Sequence, residues 1–223
     1  MIAMLDVQDI CVSYRKGSEI IQAVHALSLH VNSGEWITLT GKSGAGKSTL
    51  LHTIAGYVRP QSDHIVLDGQ DLMAMSAELA LLYASSKLGY ITQDFSLVPD
   101  YSARKNILLT AYIHKADIDR SYFDKLVQLL GLAERLDHYP DECSGGEQQR
   151  IAIARALLLK PALILADEPT GSLDSKTSQQ IVDLLMEANH SFGQAFLIAT
   201  HDPSIAALGK RKLHLSDGRL HEA

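Results

Sequence analysis

The chain has 223 residues, of which 46% are hydrophobic and 21% charged, a balance typical of a globular protein. Its 26 Asp and Glu outnumber its 20 Lys and Arg, and the basic excess of a protein that grips a phosphate backbone is missing, so we expect no nucleic-acid partner. The two cysteines, Cys11 and Cys143, lie far apart and outside any metal-binding motif, which argues against a disulfide framework or a zinc site.

The N-terminus lacks the basic start and apolar stretch of a signal peptide. No apolar run approaches the roughly 18 residues of a membrane-spanning helix. We therefore expect a single domain over residues 1–223 that reaches a membrane, if at all, through a partner.

The first third of the chain is rich in Val, Ile and Leu between turn residues, which predicts strands at residues 2–10, 20–31, 35–40 and 65–67. Residues 48–57 carry apolar side chains at helical spacing. Helical patterns dominate the middle, from about residue 88 to 155, with helices predicted at residues 119–130 and 144–160.

The last third alternates between strands at residues 162–166, 195–199 and 212–215 and a helix at residues 175–190. Such alternation predicts an α/β fold whose parallel sheet is covered on both faces. The middle segment, at about residues 88–155, is then a mainly helical region within this fold.

Residues 41–49 match the G-x-x-x-x-G-K-[ST] pattern between a predicted strand and a predicted helix. The glycines allow successive N–H groups to face phosphate oxygens, and the helix adds its positive N-terminal end. Lys47 is expected to neutralise the β and γ phosphates, and the Ser48 hydroxyl to bind Mg²⁺. The residues expected to contact ATP in this phosphate loop are Gly41, Ser43, Gly44, Ala45, Gly46, Lys47, Ser48 and Thr49.

Two carboxylates, Asp167 and Glu168, follow the apolar strand at residues 162–166. Strand ends often carry acids only to turn into solvent. Ligands of parallel sheets, however, sit at the carboxyl ends of strands, so with a phosphate loop upstream these acids should face the same crevice. Asp167 is then placed to hold Mg²⁺, and Glu168 to polarise the attacking water.

Ser144 and Glu147 have the S-x-x-E spacing of a capping box, which alone would explain a helix start. Gly145 and Gly146 leave the backbone of this helix N-terminus bare, as anion sites do.

The chain resembles the nucleotide-binding subunits of ABC transporters along essentially its whole length. Besides the phosphate loop, the matching segments in chain order are Tyr14 (the adenine-stacking aromatic), Gln93 (the glutamine loop, a Mg²⁺ contact), residues 143–147 (the signature segment), residues 167–170 (magnesium and catalytic glutamate), residues 172–174 with Asp174 (the loop that crosses between subunits) and His201 (the switch histidine). Cys143 and Glu147 depart from the usual Leu and Gln of the signature segment. Glu followed by Gln-Gln-Arg favours relatives of the lipoprotein-release, macrolide-export and cell-division types.

This resemblance implies an α/β fold with a P-loop NTPase core, an N-terminal antiparallel β region and an α-helical subdomain inserted at about residues 88–155. It also implies a head-to-tail dimer with two Mg-ATP molecules at its interface. Each site would combine the phosphate loop of one subunit with Ser144, Gly145 and Gly146 of the other. It also implies a membrane-spanning permease as partner, a peripheral location on the cytoplasmic face of the cell membrane, and export of a lipophilic cargo such as a lipoprotein, an amphiphilic drug, a peptide or haem. Glu168 and His201 would be the catalytic residues, with His201 contacting the γ-phosphate.

Other functions stay open at this point. The stretch between Lys47 and Ser144 has no heptad pattern, which disfavours a chromosome or repair clamp. An ordinary P-loop kinase is also disfavoured, because Ser144, Gly145 and Gly146 would have no function in it. The alternative that remains is a non-transport ABC ATPase paired with a membrane protein, such as a septation-type regulator. No function is assigned to Asp63 and His64.

The segment after Gln93 is unusually apolar for a loop. We expect it to present a groove for a short cytoplasmic helix of a permease, although the same side chains could instead fill the core of the helical subdomain. The residues concerned are Phe95, Leu97, Val98 and Tyr101.

Overall fold

The computed structural model describes residues 4–61 and 64–222; Ile2, Ala3 and Asp63 of the expectations above lie outside this range. The first of two sheets in the described residues is antiparallel, in the order β2-β1-β4-β5. Its strands are β1 (Leu5–Lys16), β2 (Glu19–Val31), β4 (His64–Leu67) and β5 (Gln70–Asp71). In β2, buried Leu27, Leu29 and Val31 alternate with exposed residues, as expected where one face of a sheet packs on a core.

The second sheet follows the order β10-β9-β3-β8-β7-β6 in the described residues. Its strands are β3 (Trp36–Thr40), β6 (Leu88–Ile91), β7 (Leu163–Asp167), β8 (Ala195–Ala199), β9 (Arg211–Ser216) and β10 (Arg219–Glu222). All neighbouring pairs are parallel except the β9–β10 hairpin.

The helices of the described residues begin mostly at residues that cap them. They are α1 (Lys47–Ile54), α2 (Ala77–Lys87), α3 (Ala103–His114), α4 (Arg120–Leu129), α5 (Gly145–Leu157), α6 (Ser175–Phe192) and α7 (Pro203–Leu208). The side chains of Ser76, Ser102, Asp119, Ser144, Asp174 and Asp202 accept hydrogen bonds from the first turns of α2 to α7 in that order.

Two apolar clusters lie on opposite faces of the second sheet. Along β7, Leu163 and Leu165 belong to the cluster shared with the antiparallel sheet and α1. Ile164 and Ala166 belong to the cluster formed with α3 to α6. This alternation explains why β7 is apolar throughout. Because β3, β7 and β8 run parallel, the loops that follow them meet at one edge.

The α/β P-loop fold with an N-terminal antiparallel sheet is confirmed. The structure differs from the predicted helical middle at its start, because Leu88–Ile91 is a strand that pairs with β7. A side chain at Gly89 would collide with the carbonyl oxygen of Ala156, so glycine lets α5 pack directly on this strand. The extent of the inserted subdomain stays a prediction.

Among the described residues, the structure contains no helix that is both long and apolar enough to cross a membrane.

Candidate functional site

The phosphate loop joins β3 to α1 and depends on two glycines packed against other strands. Gly46 has a φ of 104° and Gly41 a φ of 151°, angles that side-chain-bearing residues rarely adopt. A Cβ on Gly46 would collide with the carbonyl oxygen of Ala23, and one on Gly41 with that of Leu215. The loop is therefore held close to its neighbours in a shape that other residues would disrupt.

Helix α1 begins at Lys47 without a side-chain cap at Gly46. The first N–H groups of a helix lack intrahelical partners, so this uncapped end suits an anion. Lys47 is buried, and its Nζ donates to the carbonyl oxygen of Gly41 at 2.8 Å. That bond holds the ammonium at the mouth of the loop.

Glu168 directly follows β7 and has a left-handed backbone, with a φ of 47°. Such a conformation is uncommon for a residue other than glycine and is often found at functional sites. The Glu168 N–H donates to the carbonyl oxygen of Ala199 at 2.9 Å, and Oε1 lies 3.8 Å from Nζ of Lys47. The carboxylate thus points to the phosphate loop.

His201, after β8, holds the other oxygen of the Glu168 carboxylate. Its Nδ1 lies 2.8 Å from Oε2, and its backbone N–H donates to the same atom at 3.1 Å. A carboxylate accepts and does not donate, so Nδ1 carries the proton of this contact.

A cavity of about 610 Å³ brings most of the predicted site residues together. Its lining consists of Tyr14, Ile21, Ala23, Ser43, Gly44, Gly46, Lys47, Ser48, Thr49, Gln93, Asp167, Glu168 and His201. Gly41 and Ala45 are not part of this lining; Gly41 supports it through the bond from Lys47. We call this space the phosphate-loop cavity.

Tyr14 lies at the rim of the phosphate-loop cavity, on β1 opposite Ile21 of β2. Its ring is 41% exposed, and its hydroxyl donates to Oγ1 of Thr49 at 3.5 Å. An open aromatic face beside an apolar side chain can stack on a base. No sequence motif marks Ile21 or Ala23, which line the cavity because β1 and β2 pair.

Gln93 is exposed and linked to the segment after β7. The hydroxyl of Ser172 donates to its carbonyl oxygen at 3.2 Å. Asp174, in that same segment, accepts from the N–H groups of Lys176 and Thr177 and caps α6. The hydroxyl of Thr177 and these N–H groups hold the pKa of the Asp174 carboxyl below its usual value.

Ser144, Gly145 and Gly146 are not among the described residues that line the phosphate-loop cavity of their own chain. They form the start of α5, where Ser144 is exposed and Gly146 is buried, and Ser144 and Glu147 make both bonds of the predicted capping box. This helix N-terminus therefore lies outside the described lining of the chain's own phosphate-loop cavity, and its nucleotide contact stays a prediction.

Two contacts of the signature helix were missed by sequence reasoning. Gln149, fully buried, donates through Nε2 to the carbonyl oxygen of Pro169, the residue after Glu168. Arg135 donates through Nε to Oε1 of Glu147 at 2.7 Å. The first contact could have been suspected from the sequence because Gln149 is a polar residue on the otherwise apolar face of the predicted helix.

A second cavity, of about 530 Å³, opens between α2, α3 and the end of α5. Its lining includes His52, Tyr57, Tyr90, Ser96, Ile113 and Arg155, and we call it the helical groove. Phe95, Leu97, Val98 and Tyr101, expected to form a groove, are not among its described lining residues.

Leu97 instead packs against the apolar cluster of α3 to α6. The Val98 N–H is bonded at 2.8 Å to the buried side chain of Asn106. Part of the apolar segment after Gln93 thus serves the chain's own core.

The profile of the ABC transporter family matches residues 24–171. Two curated relatives are lipoprotein-releasing system ATP-binding proteins named LolD. The one from Shewanella sp. is 40% identical over 219 residues, spanning 97% of this chain and 95% of the relative. The one from Bordetella avium is 41% identical over 209 residues, spanning 93% and 91%.

Solved structures agree along nearly the whole chain. The dimeric ATP-binding cassette MJ0796, in a post-hydrolysis state bound to ADP and Pi, has a TM-score of 0.88 at 33% identity, covering 99% of this chain and 98% of that one. CbiO1 of Clostridium perfringens, part of the ABC transporter complex cbiONQ, has a TM-score of 0.84 at 26% identity, covering 98% and 87%. Since the family profile spans most of the chain and relatives match it almost end to end, the chain belongs to the ABC transporter family as one of its nucleotide-binding subunits.

Proposed function

We propose that the chain binds Mg-ATP in the phosphate-loop cavity and, paired with a second copy, hydrolyses it to drive a separate membrane permease that exports a lipophilic cargo. The observation that carries the proposal is the convergence of Lys47, Glu168 and His201 on one cavity at the ends of three neighbouring parallel strands. Anion-binding backbone, a cation and an oriented carboxylate are the parts that phosphoryl transfer to water requires.

The residues present fit a bound Mg²⁺. The Ser48 hydroxyl, the Asp167 carboxylate and the Gln93 amide all line the cavity, and Mg²⁺ in nucleotide sites prefers such oxygen ligands together with phosphate oxygens. When bound, the ion would neutralise charge on the β and γ phosphates.

The hydrolytic step follows from the placement of Glu168. Its carboxylate takes the proton of a water as the water oxygen bonds to the γ-phosphorus. The bond between that phosphorus and the oxygen bridging to the β-phosphate breaks, and ADP departs with that oxygen. Lys47 neutralises the charge that develops, and His201 orients the carboxylate while facing the γ-phosphate.

A second copy would complete the site. Ser144, Gly145 and Gly146 lie at the N-terminus of α5, outside the described lining of the chain's own cavity, where the γ-phosphate bound by another copy can be received. The dimeric state of MJ0796 supports this pairing. Asp174 beside this surface is then placed near the partner's nucleotide.

The helical groove is the surface that we assign to the permease. It combines exposed apolar side chains, Tyr57 and Ile113, with Arg155, whose guanidinium donates to the carbonyl oxygens of Phe95 and Ser96 just after Gln93. A short amphipathic helix fits such a groove. Through it the chain would sit peripherally on the cytoplasmic face of the membrane.

The name of the LolD relatives, a lipoprotein-releasing system, makes a lipoprotein the first cargo to test. The Glu147-Gln148-Gln149-Arg150 segment of this chain also favours that subgroup.

The experiment measures ADP production by the purified chain at rising protein concentration, with Mg²⁺ and with a chelator. We expect Mg²⁺-dependent hydrolysis whose rate per subunit rises with concentration, because two copies complete each site. A hydrolysis rate per subunit that does not change with protein concentration or with Mg²⁺ would contradict the proposal.

A further inference from the structure

The side chain of Glu147 places a negatively charged carboxylate next to Ser144. Its Oε2 accepts from the N–H and from the hydroxyl of Ser144, each at 2.8 Å, and its Oε1 accepts from Nε of Arg135 at 2.7 Å. The bond from Arg135, followed by those from Ser144, lowers the pKa of Glu147 to about 2. The carboxylate is therefore ionised at every pH at which the protein would work.

A lone carboxylate here would oppose the task that the proposed function gives to Ser144. It would repel an approaching γ-phosphate, since both are negative. The usual family pattern has Gln at this position and avoids the charge.

Arg135 is placed to offset this negative charge. It ends a 3-10 turn, Ala133–Arg135, whose following residues are bonded to the start of α3. The Arg104 N–H donates to Leu136 and the Ala103 N–H to His138, both at 2.8 Å. The guanidinium therefore approaches Glu147 from a fixed backbone.

We propose that Arg135 is a positioning residue of the ATP site shared between two copies: it neutralises Glu147 and thereby removes the repulsion between this carboxylate and the γ-phosphate that Ser144 would receive from the partner. The proposal rests on the proposed function. An alternative is that the Arg135–Glu147 pair only anchors the 3-10 turn to α5.

The test is a double-mutant cycle of Arg135→Gln, Glu147→Gln and the two combined, in the full chain. The kcat and KM of Mg-ATP hydrolysis are measured for each variant. Binding by the chain's own phosphate loop is followed separately as the thermal shift induced by ATP. Arg120→Gln, the same change at an exposed arginine on α4, is the matched control.

We expect Arg135→Gln to lower kcat by about tenfold, the order of effect of leaving one member of a charge pair uncompensated. The ATP-induced thermal shift should stay at the parent value, because Arg135 lies outside the phosphate-loop cavity. Glu147→Gln in the Arg135→Gln chain should restore kcat to within about threefold of the parent, since the charge that needed neutralising is gone.

A double variant as slow as Arg135→Gln alone would overturn the proposal and assign the pair to anchoring. An Arg135→Gln chain with the parent kcat would overturn it as well. If Arg135→Gln fails to fold, Arg135→Lys and Arg135→Met replace it: equal kcat values for the two would overturn the role of charge. If the parent chain binds no ATP, the proposed function itself is contradicted, and not only the role of Arg135.

Discussion

His201 holds the carboxylate of Glu168 with two donors, its ring Nδ1 at 2.8 Å and its backbone N–H at 3.1 Å, both on Oε2. The two residues follow neighbouring strands, β7 and β8, so the sheet fixes their separation. Oε1 of Glu168 is left to face Lys47. One oxygen of the carboxylate is thus used for orientation, and the other faces the space in which the phosphates would lie.

Glu168→Gln should bind Mg-ATP normally but lose about 10²–10⁴-fold in turnover, the usual contribution of a positioned general base. It should also remain dimeric in Mg-ATP, because the nucleotide is no longer consumed. Size-exclusion chromatography with light scattering and a turnover assay measure the two effects. Glu187→Gln, an exposed glutamate on α6, serves as control; a Glu168→Gln chain that turns over at the parent rate contradicts the role.

Lys47→Ala should weaken ATP binding itself, because it removes a charge-assisted contact to the phosphates. ATP at 100 times its Kd stabilises a protein by about 2.7 kcal/mol, and we expect most of this gain to be lost. The readout is the melting temperature with and without Mg-ATP. Lys212→Ala, an exposed lysine on β9, should keep the full gain. Equal stabilisation of the Lys47→Ala chain would place the phosphates elsewhere.

Ile113→Asp combined with Tyr57→Asp should abolish co-purification with the permease while leaving ATP binding intact. Both side chains are 59% exposed in the helical groove, so charging them costs the fold little but disfavours an apolar partner helix. Co-purification with the membrane fraction and permease-stimulated hydrolysis are measured, with Met186→Asp on α6 as control. Retention at the parent level would exclude the groove as the docking surface. Leu97→Asp would be a poor choice because Leu97 packs on the core.

The stability added by ionised Glu147 should depend on pH with a definite sign. Its pKa falls from 4.5 to about 2 on folding, so its contribution is fully present above about pH 4.5 and is lost as the pH falls towards 2. Glu147→Gln should therefore be less stable than the parent near neutral pH, and the difference should shrink below about pH 4. Urea unfolding of both chains across this range provides the test; a difference that stays constant would contradict the assignment.

The parallel sheet is the part of the fold that the sequence predicts best. Residues 163–166 of β7 and all of β8 are apolar, and acids or polar residues follow, the pattern expected of strands buried on both faces of a parallel sheet. Strand β6 escapes prediction because it is four residues long, contains Gly89 and directly follows α2 without a turn residue. Only its pairing with β7, distant in sequence, makes it a strand.

In the candidate site, too, some features could be predicted from the sequence and others could not. The phosphate loop, Asp167 and Glu168 are contiguous motifs whose chemistry follows from spacing. The bonds from Arg135 to Glu147 and from Gln149 to Pro169 join residues 12 and 20 positions apart, and no local pattern specifies them. Sequence reasoning therefore recovers the groups that would touch the nucleotide better than the contacts that hold them.

Helix α5 is fastened at two points to loops of its own catalytic site. Gln149, near its start, bonds to the residue after Glu168, and Arg155, near its end, bonds to the loop after Gln93. With 13 residues, the helix is about 20 Å long and moves as one rigid rod. Its N-terminal end, at Ser144, is the part that we propose contacts the nucleotide of the other copy. Occupancy of one site is thus expected to shift the end that closes the second, so that hydrolysis should rise sigmoidally with ATP concentration.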